Sequence, residues 1–257
     1  MNDIRPLQLK VLEIAKVFHE ICSTHHIPYY MAGGGLLGAI RHGGFIPWDD
    51  DLDFVVPRKH FVSLMNALKG DLPRNMKTRT YENEEILWGE ILKIEDTSVR
   101  VKERVGNTIF EHGAFIDIFP LDYTNDSKMP FSRNWLIRRL LMAEAIRRSD
   151  ANSLITKFIK FFPHMLGTSL YIRLVRSLVA KRGNFQTSYW GAYGERDTVP
   201  SYYWGKPTLY DFEDTELFGI EQYDMYLKHI FGDYMQLPSE ENRKTHIVDY
   251  QLLEDRM

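Results

Sequence analysis

Leu7, Val11, Ile14, Ala15, Phe18 and Cys22 recur at steps of three and four residues, so the chain opens on one apolar stripe. That spacing predicts a helix from Pro6 to Thr24. "HHIPYYMAG" then reads as a short strand with its proline at the start. Gly33, Gly34 and Gly35 read as a tight turn, "LLGAIRH" as a helix and "GGFIPW" as a loop. "DLDFVVP" is expected to be a strand, and Pro57 to open a helix that runs to Leu68 and closes at Gly70. "ILWGEILKIED" and "SVRVKER" read as two strands, and "AFIDIFPLDY" as a third that Pro120 ends. Strands mixed with helices in this order predict an α/β or α+β domain.

The pattern changes near Asp126. "WLIRRLLMAEAIRR" and "LITKFIKFFPHMLGTSLYIRLVRSLVAKR" are helical and amphipathic, and from Lys128 to Arg182 twelve Lys/Arg face two Asp/Glu. The segment carries a net +10 in a chain of formal charge −3, so the remainder carries −13. After Gly183 the chain is rich in aromatic residues, and "EQYDMYLKHIFGDYMQLPSEENRKTH" reads as a helix followed by a docked tail. Three regions are therefore expected: a catalytic core over 1–125, a basic helical insertion over 126–183, and an aromatic-rich C-terminal part over 184–257 that packs on the core.

With 257 residues and 44% hydrophobic content, the chain can bury a large core. Its one cysteine, Cys22, excludes an intrachain disulfide and reads as core. "MNDIRPLQLK" has no apolar run of a secretory leader, and no stretch approaches the ~18 apolar residues of a spanning helix. A cytoplasmic protein is expected, with peripheral contact at the inner face of a membrane through the basic helices. No nucleic-acid-binding motif accompanies the basic charge, so nucleic acid is not expected as a partner.

Six of the 17 glycines and four aspartates fall within the 24 residues from Met31 to Phe54. Asp51 and Asp53 are two apart on an expected strand, which turns both carboxylates to one face. Two carboxylates side by side repel, and a divalent cation removes the conflict; Mg²⁺ takes carboxylate oxygens and keeps sites for water and phosphate. The glycines let the backbone approach a phosphate at a helix N-terminus. Asp117, in "FIDIF", would complete a three-carboxylate site as metal ligand or as general base. Arg41, His42 and Lys93 are candidates for holding phosphate, Asp50 for an extra ligand, and Asp49 for the loop. Trp48 is expected to pack under the metal loop.

"GGGLLGAIRHGGFIPWDDDLDF" resembles the signature of the LicD family, the phosphocholine-transferase relatives within the nucleotidyltransferase-fold superfamily, to which fukutin is related. "FIDIFPLDY" and "YDMYLKHIFGDYMQLPSEENRKTH" resemble two further motifs of that family, so the likeness spans most of the chain outside the basic segment. The resemblance implies an α+β, nucleotidyltransferase-like mixed sheet flanked by helices. It implies a glycine turn at Gly34 and Gly35, a metal-binding pair at Asp51 and Asp53, a third acid at Asp117, and Mg²⁺. It also implies transfer of a phospho-substituent from a CDP-linked donor, CDP-choline first, to a cell-surface glycan or its lipid-linked precursor. Polyol-phosphate transfer and attachment of a nucleoside monophosphate are the competing activities, and a binding scaffold the non-enzymatic reading. One position departs from the family: Gly35 stands where a Ser or Thr hydroxyl usually reaches phosphate. For a choline donor, Trp190, Tyr193, Tyr202, Tyr203 and Trp204 are candidates for an aromatic cage.

Overall fold

The computed structural model describes residues 4–80, 91–105, 108–124, 136–137, 139–140, 161, 165–188, 194–243, 245 and 247–253. Helix α1 (Arg5–Thr24) has Pro6 in its first turn and buries Leu7, Val11, Ile14, Phe18 and Cys22, the stripe read from the sequence. His26, in the left-handed region at φ 53°, turns the chain into β1 (Tyr30–Met31). Phe18 then meets Tyr29 at 4.8 Å and Phe54 at 4.9 Å, which fastens α1 to the strands beside it. Burial raises the Cys22 thiol well above its ordinary pKa, as fits a core cysteine.

The chain divides into two compact units, one of Met1–Thr78, Lys93–Ile118 and Trp204–Met257, the other of Arg79–Leu92 and Phe119–Tyr203. The first is built on a mixed sheet. Its strands are β1, β2 (Asp53–Pro57), β4 (Leu92–Val105), β5 (Thr108–Thr124), β8 (Thr208–Phe212), β9 (Thr215–Gly219) and β10 (Ile247–Leu252), in the order β10-β4-β5-β2-β1-β9-β8. The short β3 (Met76–Arg79) pairs with β4. β1 runs antiparallel to β2, with Met31 opposite Phe54, and parallel to β9, with Met31 opposite Gly219. β10 returns the C-terminal chain antiparallel to β4, Tyr250 facing Val101. The helices of this unit are α1, α2 (Gly33–His42), α3 (Phe61–Asp71) and α5 (Tyr223–Phe231). A mixed sheet flanked by helices is the architecture expected of a nucleotidyltransferase-like chain.

The second unit contains the end of β5, β6 (Phe185–Thr187), β7 (Thr198–Pro200) and α4 (Thr168–Ser177). β6 lies antiparallel to both β5 and β7. On α4, Tyr171 and Ile172 are buried with Ile137, and the Tyr171 hydroxyl donates to the Leu140 carbonyl at 2.8 Å. The helix expected over the basic segment is seen in these residues; its remainder lies outside the described residues.

Three local expectations are corrected. The triple glycine is not a turn before a helix but the first turn of α2 itself. Pro120 does not end its strand: β5 continues to Thr124 and from Asp122 onward pairs with β6. Proline removes one donor, which a strand tolerates where its pairing changes. "ILKIED" and "SVRVKER" are not two strands but parts of one, β4, and residues 81–90 lie outside the described residues.

Candidate metal and phosphate site

The acidic loop joins α2 to β2. β2 begins at Asp53, so Asp51 and Asp53 do not share a strand; Asp51 lies in the loop just before it. The loop is held by backbone on both sides. Ala32 N–H donates to the Asp53 carbonyl and Asp117 N–H to the Leu52 carbonyl, each at 3.0 Å. These two bonds tie the start of α2 and strand β5 to the acid loop.

The first turn of α2 faces this loop. Gly33 is in the left-handed region at φ 53°, and a Cβ there would lie 3.4 Å from Asp53 Oδ2. A Cβ on Gly34 would collide with the Asp49 carboxylate. The glycines are therefore needed for the close approach of helix and carboxylates, whose negative charge meets the positive end of the helix. Gly35 is buried under Leu52, and a Cβ there would sit 3.0 Å from Leu52 Cδ2. A serine or threonine would press on that side chain, which gives the departure at this position a packing reason. Gly33 N–H donates to the Tyr226 hydroxyl on α5 at 3.2 Å.

Asp51 is the electrostatic centre. Asp49, Asp50 and Asp51 each bring one carboxylate oxygen to within 4.8 Å of the others. Desolvation raises the Asp51 carboxyl well above the usual carboxylate range, and the charges of Asp53, Asp49, Asp50 and Asp117, in that order, push it the same way. Asp50 is 4% exposed and is committed elsewhere: Oδ2 accepts from the Thr245 hydroxyl and, at 2.8 Å, from Ile247 N–H. It anchors the loop to the C-terminal segment.

Asp117 is held on β5 beside Lys93 on β4. The Lys93 ammonium is 2.8 Å from Oδ1 and 2.9 Å from Oδ2, aligned as a hydrogen bond only to Oδ2. It also sits 3.4 Å from the centre of the Phe115 ring. Desolvation raises the Asp117 carboxyl and Lys93 opposes that rise. The partner that a buried carboxylate needs is therefore Lys93.

The donor set fits a hard divalent cation. Carboxylate oxygens of Asp49, Asp50 and Asp51 lie within 4.8 Å of one another, neighbouring carboxylates add to the rise of the Asp51 carboxyl, and Asp117 Oδ1 is buried with no aligned donor. Such a set suits Mg²⁺ rather than a sulfur-preferring metal.

The other candidates lie at the edge of this arrangement. Arg41 donates to the Tyr234 carbonyl at 2.7 Å and to His42 Nε2 at 3.0 Å, so it holds the chain after α5. Desolvation and the Arg41 charge lower the His42 imidazole. Trp48 meets His42 edge-on at 6.4 Å and carries Arg243 over its ring at 4.9 Å, which is packing beside the acid loop. Trp190 and Tyr193 lie outside the described residues. Tyr202 and Tyr203 meet edge to face at 4.9 Å. Trp204 is 2% exposed and packs on Tyr30 and Tyr226, each at 5.5 Å, so it is core rather than cage wall. Sequence reasoning missed Thr245, Ile247, Arg243 and Tyr226 as supports of the site. The only signal for them was their place in or just after the C-terminal motif.

The family model described as LicD/FKTN/FKRP, nucleotidyltransferase domain, matches residues 26–143, which include the glycines, the acid loop, Lys93 and Asp117. The lipopolysaccharide cholinephosphotransferase LicD of Haemophilus influenzae is 28% identical over 258 residues, spanning 95% of this chain and 96% of its own. An uncharacterized protein of Rickettsia prowazekii is 38% identical over 60 residues, 23% of each chain. Among solved structures, the antibiotic-resistance factor ANT(2'')-Ia overlaps at a TM-score of 0.30 and 13% identity, covering 66% of this chain and 91% of that one. That overlap is too loose to bear on the fold.

Proposed function

We propose, from the match of residues 26–143 to the LicD/FKTN/FKRP nucleotidyltransferase-domain model, that this chain transfers a phospho-substituent from a CDP-linked donor to a glycan hydroxyl. Phosphocholine is the group proposed, because the relative that matches this chain nearly end to end is a lipopolysaccharide cholinephosphotransferase. The observation that carries the reading is the crowding of carboxylates around Asp51 against the N-terminal turn of α2. Clustered acids at a helix start serve a metal and a phosphate better than they serve packing.

Asp51 and Asp53 would hold Mg²⁺, with Asp117 as third carboxylate. When bound, that ion supplies charge neutralisation to the donor diphosphate. Lys93 opposes the rise that burial imposes on the Asp117 carboxyl and fixes its orientation, and the ammonium is itself held over Phe115. Asp117 Oδ1 is the atom that would take the proton of the attacking hydroxyl. A new bond then forms between the acceptor oxygen and the phosphorus bearing choline. The bond from that phosphorus to the bridging oxygen breaks, and CMP departs with that oxygen.

The test is product analysis by phosphorus NMR and mass spectrometry, with Mg²⁺, CDP-choline and a lipopolysaccharide-derived oligosaccharide. Release of CMP together with a phosphocholine-bearing oligosaccharide is expected, and Asp53→Ala should lower the rate by about 10³-fold or more. Consumption of CDP-glycerol or CDP-ribitol in place of CDP-choline would replace the transferred group. Release of diphosphate from CTP would contradict the reaction class.

A further inference from the structure

The outward face of α4 has no use in the transfer chemistry. Leu170, Arg173, Leu174 and Ser177 stand at the three- and four-residue steps of one helix face, and all four are exposed. Tyr171 and Ile172 take the opposite, buried side. Leu170 is 47% and Leu174 49% exposed, and just before the helix Met165 is 65% exposed. Three large apolar side chains close together in sequence are thus left facing water.

The charge around this face has one sign. From Ala151 to Gly194 the sequence has six Lys/Arg and no Asp or Glu. Arg173 lies within the exposed row, and Lys181 and Arg182 follow the helix, both exposed.

We propose that the outer face of α4 docks on an anionic lipid bilayer. Leu170 and Leu174 enter the boundary between headgroups and acyl chains, while Arg173 extends its guanidinium outward to lipid phosphate and Lys181 and Arg182 meet the charged surface. An apolar row with cations within it and just after it, in a stretch of sequence that has no Asp or Glu, matches that occupant on both counts. Nucleic acid would use the cations and leave the leucines in water. The inference does not rest on the transfer reaction, and its assay contains no nucleotide, metal or glycan, so the two fail separately.

The test is co-sedimentation of the full chain with vesicles of phosphatidylcholine alone and of an equal mixture with phosphatidylglycerol. Binding to the mixed vesicles only, weakened by added salt, is expected. Leu170→Ser/Leu174→Ser should lower the bound fraction about tenfold with no change in melting temperature, because both positions are exposed. Arg173→Gln/Lys181→Gln, offered as the second variant, should lower it as well. Three results would overturn the proposal. One is no binding to the mixed vesicles. Another is binding that the leucine variant leaves unchanged. The third is a dimer in sedimentation velocity that the leucine variant dissolves, which would give the face to a second copy of the chain.

Discussion

Tyr29 has no exposed surface, yet its hydroxyl is satisfied twice: Phe218 N–H donates to it at 3.2 Å and His19 Nδ1 lies 2.6 Å away. Burial lowers the His19 pKa below 6.5, which favours the neutral imidazole, whose unprotonated ring nitrogen can accept the Tyr29 hydroxyl proton. Tyr29→Phe would leave the Phe218 N–H without its acceptor and should cost about 1–3 kcal/mol in urea unfolding. The pH sign follows from His19. The stability contributed by its neutral ring is present above 6.5 and is lost as pH falls below that value, because the unfolded chain takes up the proton first. His19→Gln should flatten that part of the profile. Asp51 has the opposite sign. Its carboxyl is raised, so ionising it at neutral pH opposes folding. Asp51→Asn should raise the melting temperature measured with chelator. Mg²⁺ should then raise that of the natural chain and leave the variant unmoved. At this scale an acidic loop was legible, but its geometry was not: Asp51 lies before β2 rather than on it, and it is Asp49, Asp50 and Asp51 that bring carboxylate oxygens within 4.8 Å of one another. Lys93 as the partner of Asp117 was not legible either, because 24 residues and a strand pairing separate them.

At the scale of elements, α1 follows from its apolar periodicity and buries one stripe, while β1 and the middle of β2 follow from short apolar runs buried on both faces. The start of α2 escaped the pattern. Glycine is a poor helix former, so a triple glycine reads as a turn until the loop that presses on it is known. The left-handed backbone at Gly33 and the close approach of Asp49 to Gly34 and of Leu52 to Gly35 explain why side chains are disfavoured there. Pro120 misled for a related reason: a missing donor ends a strand only where that donor is needed. The C-terminal segment docks as a tail, as expected, but its partners were not legible. Thr245 and Ile247 reach Asp50 from 195 and 197 residues away, a distance no local pattern carries. Arg243 on Trp48 and Arg41 on the Tyr234 carbonyl add two more ties to the same region. Thr245→Val removes one donor from a buried carboxylate. It should cost about 1.5–3 kcal/mol and weaken Mg²⁺ binding several-fold, while Thr245→Ser restores both. Unchanged Mg²⁺ affinity in Thr245→Val would show that the segment braces the fold without setting the acid loop.

Over the whole molecule, charge is partitioned: +10 lies between Lys128 and Arg182 and −13 elsewhere. The acidic share includes the carboxylates around Asp51, and the basic share includes the exposed face of α4. No helix among the described residues is long and apolar enough to cross a membrane. The partition was legible as arithmetic on the sequence, and the mixed sheet as an alternation of strands and helices. The order of its strands was not, since β1 pairs with β9 and β4 with β10 across most of the chain length. The central claim is that the acids separated in sequence act as one metal site serving a CDP-linked donor. Calorimetric titration of Mg²⁺ in the presence and absence of CDP-choline tests it most directly, on the natural chain and on Asp51→Asn, Asp53→Asn and Asp117→Asn. Mg²⁺ binding that CDP-choline tightens is expected, lost in Asp51→Asn and Asp53→Asn and weakened in Asp117→Asn. Binding that survives unchanged in the Asp51 and Asp53 variants, or that the donor does not affect, would contradict that claim.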